Sequence, residues 1–124
     1  MLSTLFVFDV YNLQINIDTF YTFGSPRGGN IYFSKYFTNI NNKIENSYRI
    51  THNRDIVPHL PPNALGFIHI NQDEIYYNKN NTKYNKCIDV ESSDCADSNY
   101  YNFSIEDHLT YFNQKIINNY LKCK

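Results

Sequence analysis

The sequence is defined first by what it lacks. No apolar stretch approaches the run of about 20 residues that a bilayer core demands. The most apolar segment, MLSTLFVFDVYNL at the N-terminus, has no basic flank and no small-residue cleavage site, and Asp9 interrupts it. It reads as neither a transmembrane segment nor a signal peptide, so no export signal is expected within this chain. Charge of one sign is also lacking: 11 basic side chains stand against 12 acidic ones, for a net charge of -1. Without a basic stripe nothing would displace counterions from a phosphate backbone, and nucleic acid is not expected as a partner. There is no C-x-x-C pair and no G-x-S-x-G.

What is present suits one globular unit. Of the 124 residues, 42% are hydrophobic, 17% aromatic and 19% charged, enough apolar material for a modest core and too much for disorder. Asparagine and tyrosine are frequent but scattered, without tract or period, as a codon-usage bias would leave them. Cys87 and Cys95, in KCIDVESSDCADS, bracket a short polar loop whose spacing suits a disulfide better than a metal or redox pair. Such a closed loop would contribute about 2 to 3 kcal/mol, the alternative being two reduced surface thiols. Cys123 is left over. Two glycosylation sequons, Asn80-Asn81-Thr82 and Asn102-Phe103-Ser104, point to the same oxidising compartment, although such triplets arise readily in an asparagine-rich chain.

Periodicity supplies the elements. Leu2, Leu5, Phe6, Val10 and Leu13 keep helical spacing, with Val7 and Phe8 on the other side, which predicts a helix buried nearly all round. Thr19 to Phe23 is β-branched and aromatic and stops at Gly24-Ser25-Pro26, as a strand ending in a turn does. Asn30 caps a second helix whose stripe is Ile31, Phe33, Tyr36, Phe37 and Ile40. Strands are expected at Tyr48 to Thr51, Gly66 to Ile70 and Glu74 to Tyr77, with a further one at Tyr84 to Ile88 inside an otherwise loop-like region. Ser104 to Asp107 has a capping-box pattern opening a final helix, with Ile105, Leu109, Phe112, Ile116 and Tyr120 as its stripe and His108 facing inward or toward a cleft. Helix and strand in alternation indicate an α/β sandwich with a partly parallel sheet.

Two residues could carry chemistry. Asp55 follows a strand at the end where open α/β sheets gather functional groups, although Asn-Arg-Asp before a proline-rich loop equally suits an Asx-turn. His108 lies in the first turn of the last helix, where the helix dipole favours neutral imidazole, the form a general base needs; the alternative is a histidine satisfied on an apolar stripe. Carboxylate then histidine is the order in which α/β-hydrolases present their acid and base after the nucleophile. Ser25, followed by proline, lacks a nucleophile elbow and is a poor nucleophile. A metal reading would use His52, Asp55, His59 and His69, but their spacing matches no helical or knuckle pattern.

The residues resemble the class 3 lipases, the fungal triacylglycerol lipase type of α/β-hydrolase. The resemblance runs through Tyr21-Thr22-Phe23-Gly24-Ser25-Pro26-Arg27, the segment Tyr48-Arg49-Ile50-Thr51-His52-Asn53-Arg54-Asp55-Ile56-Val57-Pro58-His59-Leu60-Pro61-Pro62, Gly66-Phe67 with His69, and Glu74-Ile75-Tyr76-Tyr77. It ends at Asp107-His108-Leu109 with Tyr111-Phe112. It implies that residues 1–124 are a single partial domain, the C-terminal half of an α/β-hydrolase fold. The sheet would be mixed and mostly parallel, flanked by helices and incomplete without upstream strands. It implies Asp55 as triad acid, His108 as triad base, Leu60, Pro61 and Pro62 as walls of an acyl pocket, and no cofactor or metal.

The same resemblance makes the partner an acylglycerol or other carboxylic-ester lipid at a lipid–water interface, and makes the complete protein secreted or endolysosomal. The cysteine loop resembles one in protist and plant members, and Cys123 resembles a C-terminal cysteine that pairs near the N-terminus in some fungal members. Gly28 departs from the family's usual valine. The family's G-H-S-L-G-G elbow would lie immediately before Met1, so serine, oxyanion hole, lid and first strands are expected outside this chain. The rival expectations are a non-catalytic lipid-surface or protein-binding module and a small disulfide-stabilised secreted domain. Intact mass under non-reducing and reducing conditions should differ by the hydrogens added to Cys87 and Cys95; identical masses would mean two free thiols.

Overall fold

The computed structural model describes residues 2–70, 72–99 and 102–116; Tyr120 and Cys123 of the expectations above fall outside them. Helix α1 (Leu2–Asn12) leads into strand β1 (Thr19–Phe23), helix α2 (Ile31–Asn41) and strand β2 (Asn46–His52). Short 3-10 turns at Val57–His59 and Asn63–Leu65 precede β3 (Asp73–Tyr77) and β4 (Tyr84–Cys87). A third 3-10 turn at Ala96–Asn99 is followed by a one-turn helix α3 (Ile105–His108) and a small hairpin, β5 (Thr110–Tyr111) and β6 (Gln114–Lys115). The main sheet runs β1-β2-β3-β4, with the first three strands parallel and β4 antiparallel. This is the mixed, mostly parallel sheet with helices that the family resemblance implied.

The sheet has two unlike faces. On one, Phe20 meets Phe37 and Ile40 of α2, joined by Val7, Ile44 and Ile70, to make the apolar core. Asn30 starts α2 by accepting from the backbone N–H groups of Tyr32 and Phe33 at 3.1 and 3.0 Å, and thereby aims Phe37 and Ile40 at β1. The other face carries Tyr21, Phe23, Tyr48, Ile50, Ile75 and Tyr77 as an aromatic floor, roofed at one end by Phe112. A parallel sheet normally has both faces covered.

Towards β3 the covered face becomes polar. Arg49 Nη2 donates to Glu74 Oε2 at 2.8 Å, with both side chains 2% exposed. Glu74 Oε1 accepts from Thr51 Oγ1 and from the Ala96 N–H, and Arg49 Nη2 also donates to the Val90 carbonyl at 2.9 Å. Buried charges persist only when paired and hydrogen-bonded, and here the partners include the Val90 carbonyl inside the loop closed by Cys87–Cys95 and the Ala96 N–H just beyond it. That disulfide is formed, as the spacing suggested.

Three expectations change. The first helix buries only Thr4 and Val7 and leaves Leu2 and Phe6 exposed, because α2 and the sheet cover a single stripe of it. Gly66 to Ile70 is not a strand: Gly66 is left-handed at the end of a 3-10 turn, and Ile68 makes an isolated bridge to Gly29. The last helix ends at His108, since Phe112 and Asn113 adopt φ of 50° and 61° and turn the chain into the β5–β6 hairpin. Replacing Glu74 by alanine would strand the buried guanidinium of Arg49 and should cost about 3 to 5 kcal/mol in urea unfolding. A loss under 1 kcal/mol would show that water already reaches the pair.

Candidate active site

β2 delivers the first functional group. Beyond His52 the chain turns sharply at Asn53, whose φ is 45°, and the N–H of Asp55 returns to the His52 carbonyl at 3.0 Å. Asp55 is buried, with its side chain 1% exposed. Its two oxygens have separate duties. Oδ1 accepts from the Val57 N–H at 2.8 Å, which is the Asx-turn bond, and Oδ2 accepts from His108 Nδ1 at 3.0 Å and from the Tyr111 hydroxyl at 2.7 Å. The Asx-turn weighed for Asp55 is therefore present on Oδ1, while Oδ2 meets His108 and Tyr111.

The segment bearing His108 is fastened to the acid loop before the imidazole reaches it. Ser104 N–H donates to the Arg54 carbonyl at 2.7 Å, and Ser104 Oγ caps α3 by accepting from the Asp107 N–H at 3.1 Å. Asp107 does not reach back to complete a capping box; its Oδ2 accepts from Asn53 Nδ2 at 2.8 Å and from the Arg54 N–H at 3.2 Å. Its carbonyl lies 3.2 Å from His52 Nδ1. With Asp55 as acceptor, His108 Nδ1 carries the proton and Nε2 presents its lone pair. The imidazole borders a cleft of about 400 Å³ together with Ser3, Phe23, Ser25, Pro26 and Val57.

Two residues of this arrangement escaped the residue pattern. Tyr111 is one: burial first, then the charge and hydrogen bond of Asp55, hold its phenol protonated far above the ordinary phenol range. Its signal was faint, a tyrosine one turn after a histidine in a segment read as helix. Gly24 is the other, with φ of 52° and no room for a side chain: a Cβ there would lie 2.6 Å from Asp55 Oδ2 and 2.8 Å from His108 Nδ1. Only glycine lets the turn after β1 pass so close to the pair.

The other candidates are placed elsewhere. Ser25 shares the cleft, but its Oγ donates to the Pro26 carbonyl at 3.4 Å. His59 faces Asp97 at 3.1 Å, and the hydrogen bond from His59 is the first cause holding the Asp97 carboxyl below its usual range. His69 Nε2 meets the Pro58 carbonyl at 2.9 Å, and burial, then Arg49 and Arg27, keep its imidazole well below the ordinary value. Among the described residues no group of three or more histidine, cysteine or acidic side chains converges as metal ligands would. Leu60, Pro61 and Pro62 do not line this cleft; the Leu60 and Pro61 carbonyls accept from the Arg27 N–H at 2.8 Å and from Arg27 Nη1 at 3.3 Å.

Comparison with known proteins follows the same lines. The family profile described as lipase (class 3) matches residues 1–65. A lipase of Rhizomucor miehei is 38% identical over 93 residues, which are 74% of this chain and 25% of that protein. Among solved structures, lipase II from Rhizopus niveus superposes with a TM-score of 0.79 at 32% identity, covering 90% of this chain and 43% of that one. A triacylglycerol lipase whose catalytic centre is described as a serine protease triad matches with a TM-score of 0.79 at 35% identity, over 90% of this chain and 43% of its own. The chain thus spans about a quarter of the curated relative and under half of the solved lipases.

Tyr111 yields a pH prediction. A phenol whose folded pKa is raised contributes fully below the ordinary phenol range and loses its contribution as pH rises above it, where only the unfolded chain ionises. Unfolding free energy should therefore fall through the alkaline range, and less steeply in Tyr111→Phe. Parallel curves for the two proteins would show that Tyr111 ionises freely in the fold.

Proposed function

The chain belongs to the class 3 lipase family, and from that membership we propose that Asp55 and His108 are the acid and base of a serine carboxylic-ester hydrolase of the triacylglycerol lipase type. The observation that carries this reading is the 3.0 Å contact from His108 Nδ1 to the buried Asp55, at the carboxyl end of a parallel sheet and on the border of a cleft. A hydroxyl nucleophile beside Nε2 would lose its proton to that nitrogen as its oxygen bonds to the ester carbonyl carbon. Asp55 would hold the resulting imidazolium through Nδ1–H. Collapse breaks the carbon–alkoxide bond, the departing alcohol takes the proton from Nε2, and water then repeats the sequence to release the fatty acid.

The serine and the oxyanion donors are not expected from these 124 residues, which hold no G-x-S-x-G. Residues 1–124 are then one partial domain whose complete catalytic unit includes a further segment. Leu60, Pro61 and Pro62 would border the acyl chain from behind Val57. The substrate class is acylglycerols or other carboxylic-ester lipids at a lipid–water interface. The Cys87–Cys95 disulfide favours an oxidising route, secreted or endolysosomal. A second reading, a non-catalytic lipid-surface or protein-binding module, is favoured by the uncovered aromatic floor around Tyr21, Phe23 and Tyr84.

By itself the 124-residue chain should leave a tributyrin emulsion unhydrolysed; turnover by the pure chain would show that it carries its own nucleophile. In a catalytic unit that supplies the serine, Asp55→Asn and His108→Ala should each lower kcat by roughly three to four orders of magnitude. Rates near the parent's in both variants would remove the assignment.

A further inference from the structure

The two sequons differ in how the fold presents them, and neither takes part in the ester chemistry. Asn80 lies in the connection between β3 and β4, exposed to solvent. That connection is organised by Asn78: its Oδ1 accepts from the N–H groups of Thr82 and Lys83 at 3.0 and 3.3 Å, and its Nδ2 donates to Thr82 Oγ1 at 3.3 Å. The Asn81 N–H closes the turn on the Asn78 carbonyl at 2.9 Å. Tethers anchor the connection from beneath, from the Asn53 N–H to the Tyr77 carbonyl at 2.8 Å and from Asn81 Nδ2 to Asn113 Oδ1 at 3.3 Å. Asn80 itself makes no hydrogen bond among the described residues, so a substituent on its amide nitrogen breaks nothing and projects from a fixed platform.

Asn102 is held differently. Its Oδ1 accepts from Arg54 Nη1 at 3.1 Å, and Ser104 of the same sequon both caps α3 and bridges to Arg54. A bulky group there would emerge against the acid loop.

We propose that Asn80 is an N-glycosylation site, modified in the same oxidising lumen in which Cys87 and Cys95 are joined. The donor class is an oligosaccharide linked through diphosphate to a lipid. Asn80 Nδ2 forms a bond to the anomeric carbon, the bond from that carbon to the diphosphate oxygen breaks, the lipid diphosphate departs, and the amide loses one proton. No oxidation or reduction is involved. Thr82 completes the recognition triplet, and the Asn80 side chain is free to accept the sugar and to keep it after folding.

The test is expression of the full 124-residue chain behind a cleavable secretory leader in a glycosylating eukaryotic host, with peptide mapping before and after peptide-N-glycosidase. The readout is taken on disulfide-bonded chain inside the secretory lumen or released from it, so retention does not alter it. The peptide containing Asn80 should carry a glycan, and the glycosidase should leave aspartate at that position. Thr82→Ala should abolish the modification and Thr82→Ser retain it, with Cys87–Cys95 formed in both. Unmodified Asn80 in disulfide-bonded protein, or a glycan confined to Asn102, overturns the proposal. Because no step depends on ester hydrolysis, this result and the triad assignment stand or fall separately.

Discussion

A carboxylate withdrawn from water must be met by donors, and Asp55 imposes that requirement on half the molecule. Its oxygens collect the Val57 N–H, the His108 imidazole and the Tyr111 hydroxyl, from segments separated by more than 50 residues of chain. The loop after β2, the single turn of α3 and the first strand of the small hairpin thus meet at one anion. Gly24 shows how tight the convergence is, since the turn after β1 passes within the space a methyl group would need. The histidine is oriented by this packing rather than by a long helix of its own.

A second set of buried charges secures the opposite flank. Arg27 forks onto Glu91 with contacts of 2.7 and 3.1 Å, and Arg49, paired with Glu74, also donates to the Val90 carbonyl, so that the loop closed by Cys87–Cys95 is drawn onto the sheet by two guanidinium groups. Arg27 also donates to the Leu60 and Pro61 carbonyls. The disulfide loop and the proline-rich wall therefore share one arginine, and movement of either is felt by the other. Such pairs fix geometry more than they add stability, because the cost of removing both charges from water offsets most of their attraction.

Much of this was legible in the residues. Thr19–Phe23 and the capped α2 follow local rules of pattern and capping, and the structure has them where those rules put them. That Asp55 and His108 belong together was suggested by their order along the chain, and the structure has them 3.0 Å apart. The C-terminal hairpin was not: Ile105, Leu109 and Phe112 keep helical spacing, but Phe112 is used to cover Phe23 and Tyr77, and two residues with positive φ decide the turn. The parts played by Tyr111 and Gly24 were invisible for a related reason, since they come from a neighbour far away in sequence. The exposure of Leu2 and Phe6 likewise depends on what lies beside α1 and not on α1 itself.

The strand order β1-β2-β3-β4 also carries a consequence for synthesis. Each of β2, β3 and β4 pairs with the strand made just before it, so these strands can add by nearest-neighbour pairing while the chain is still being extended. The acid and the histidine, 53 residues apart, obey a different clock. Asp55 follows β2 directly, but the donors to its Oδ2 arrive with α3 and the β5–β6 hairpin. Throughout translation of the intervening residues this carboxylate stays hydrated, and closing the site is the step that dries it.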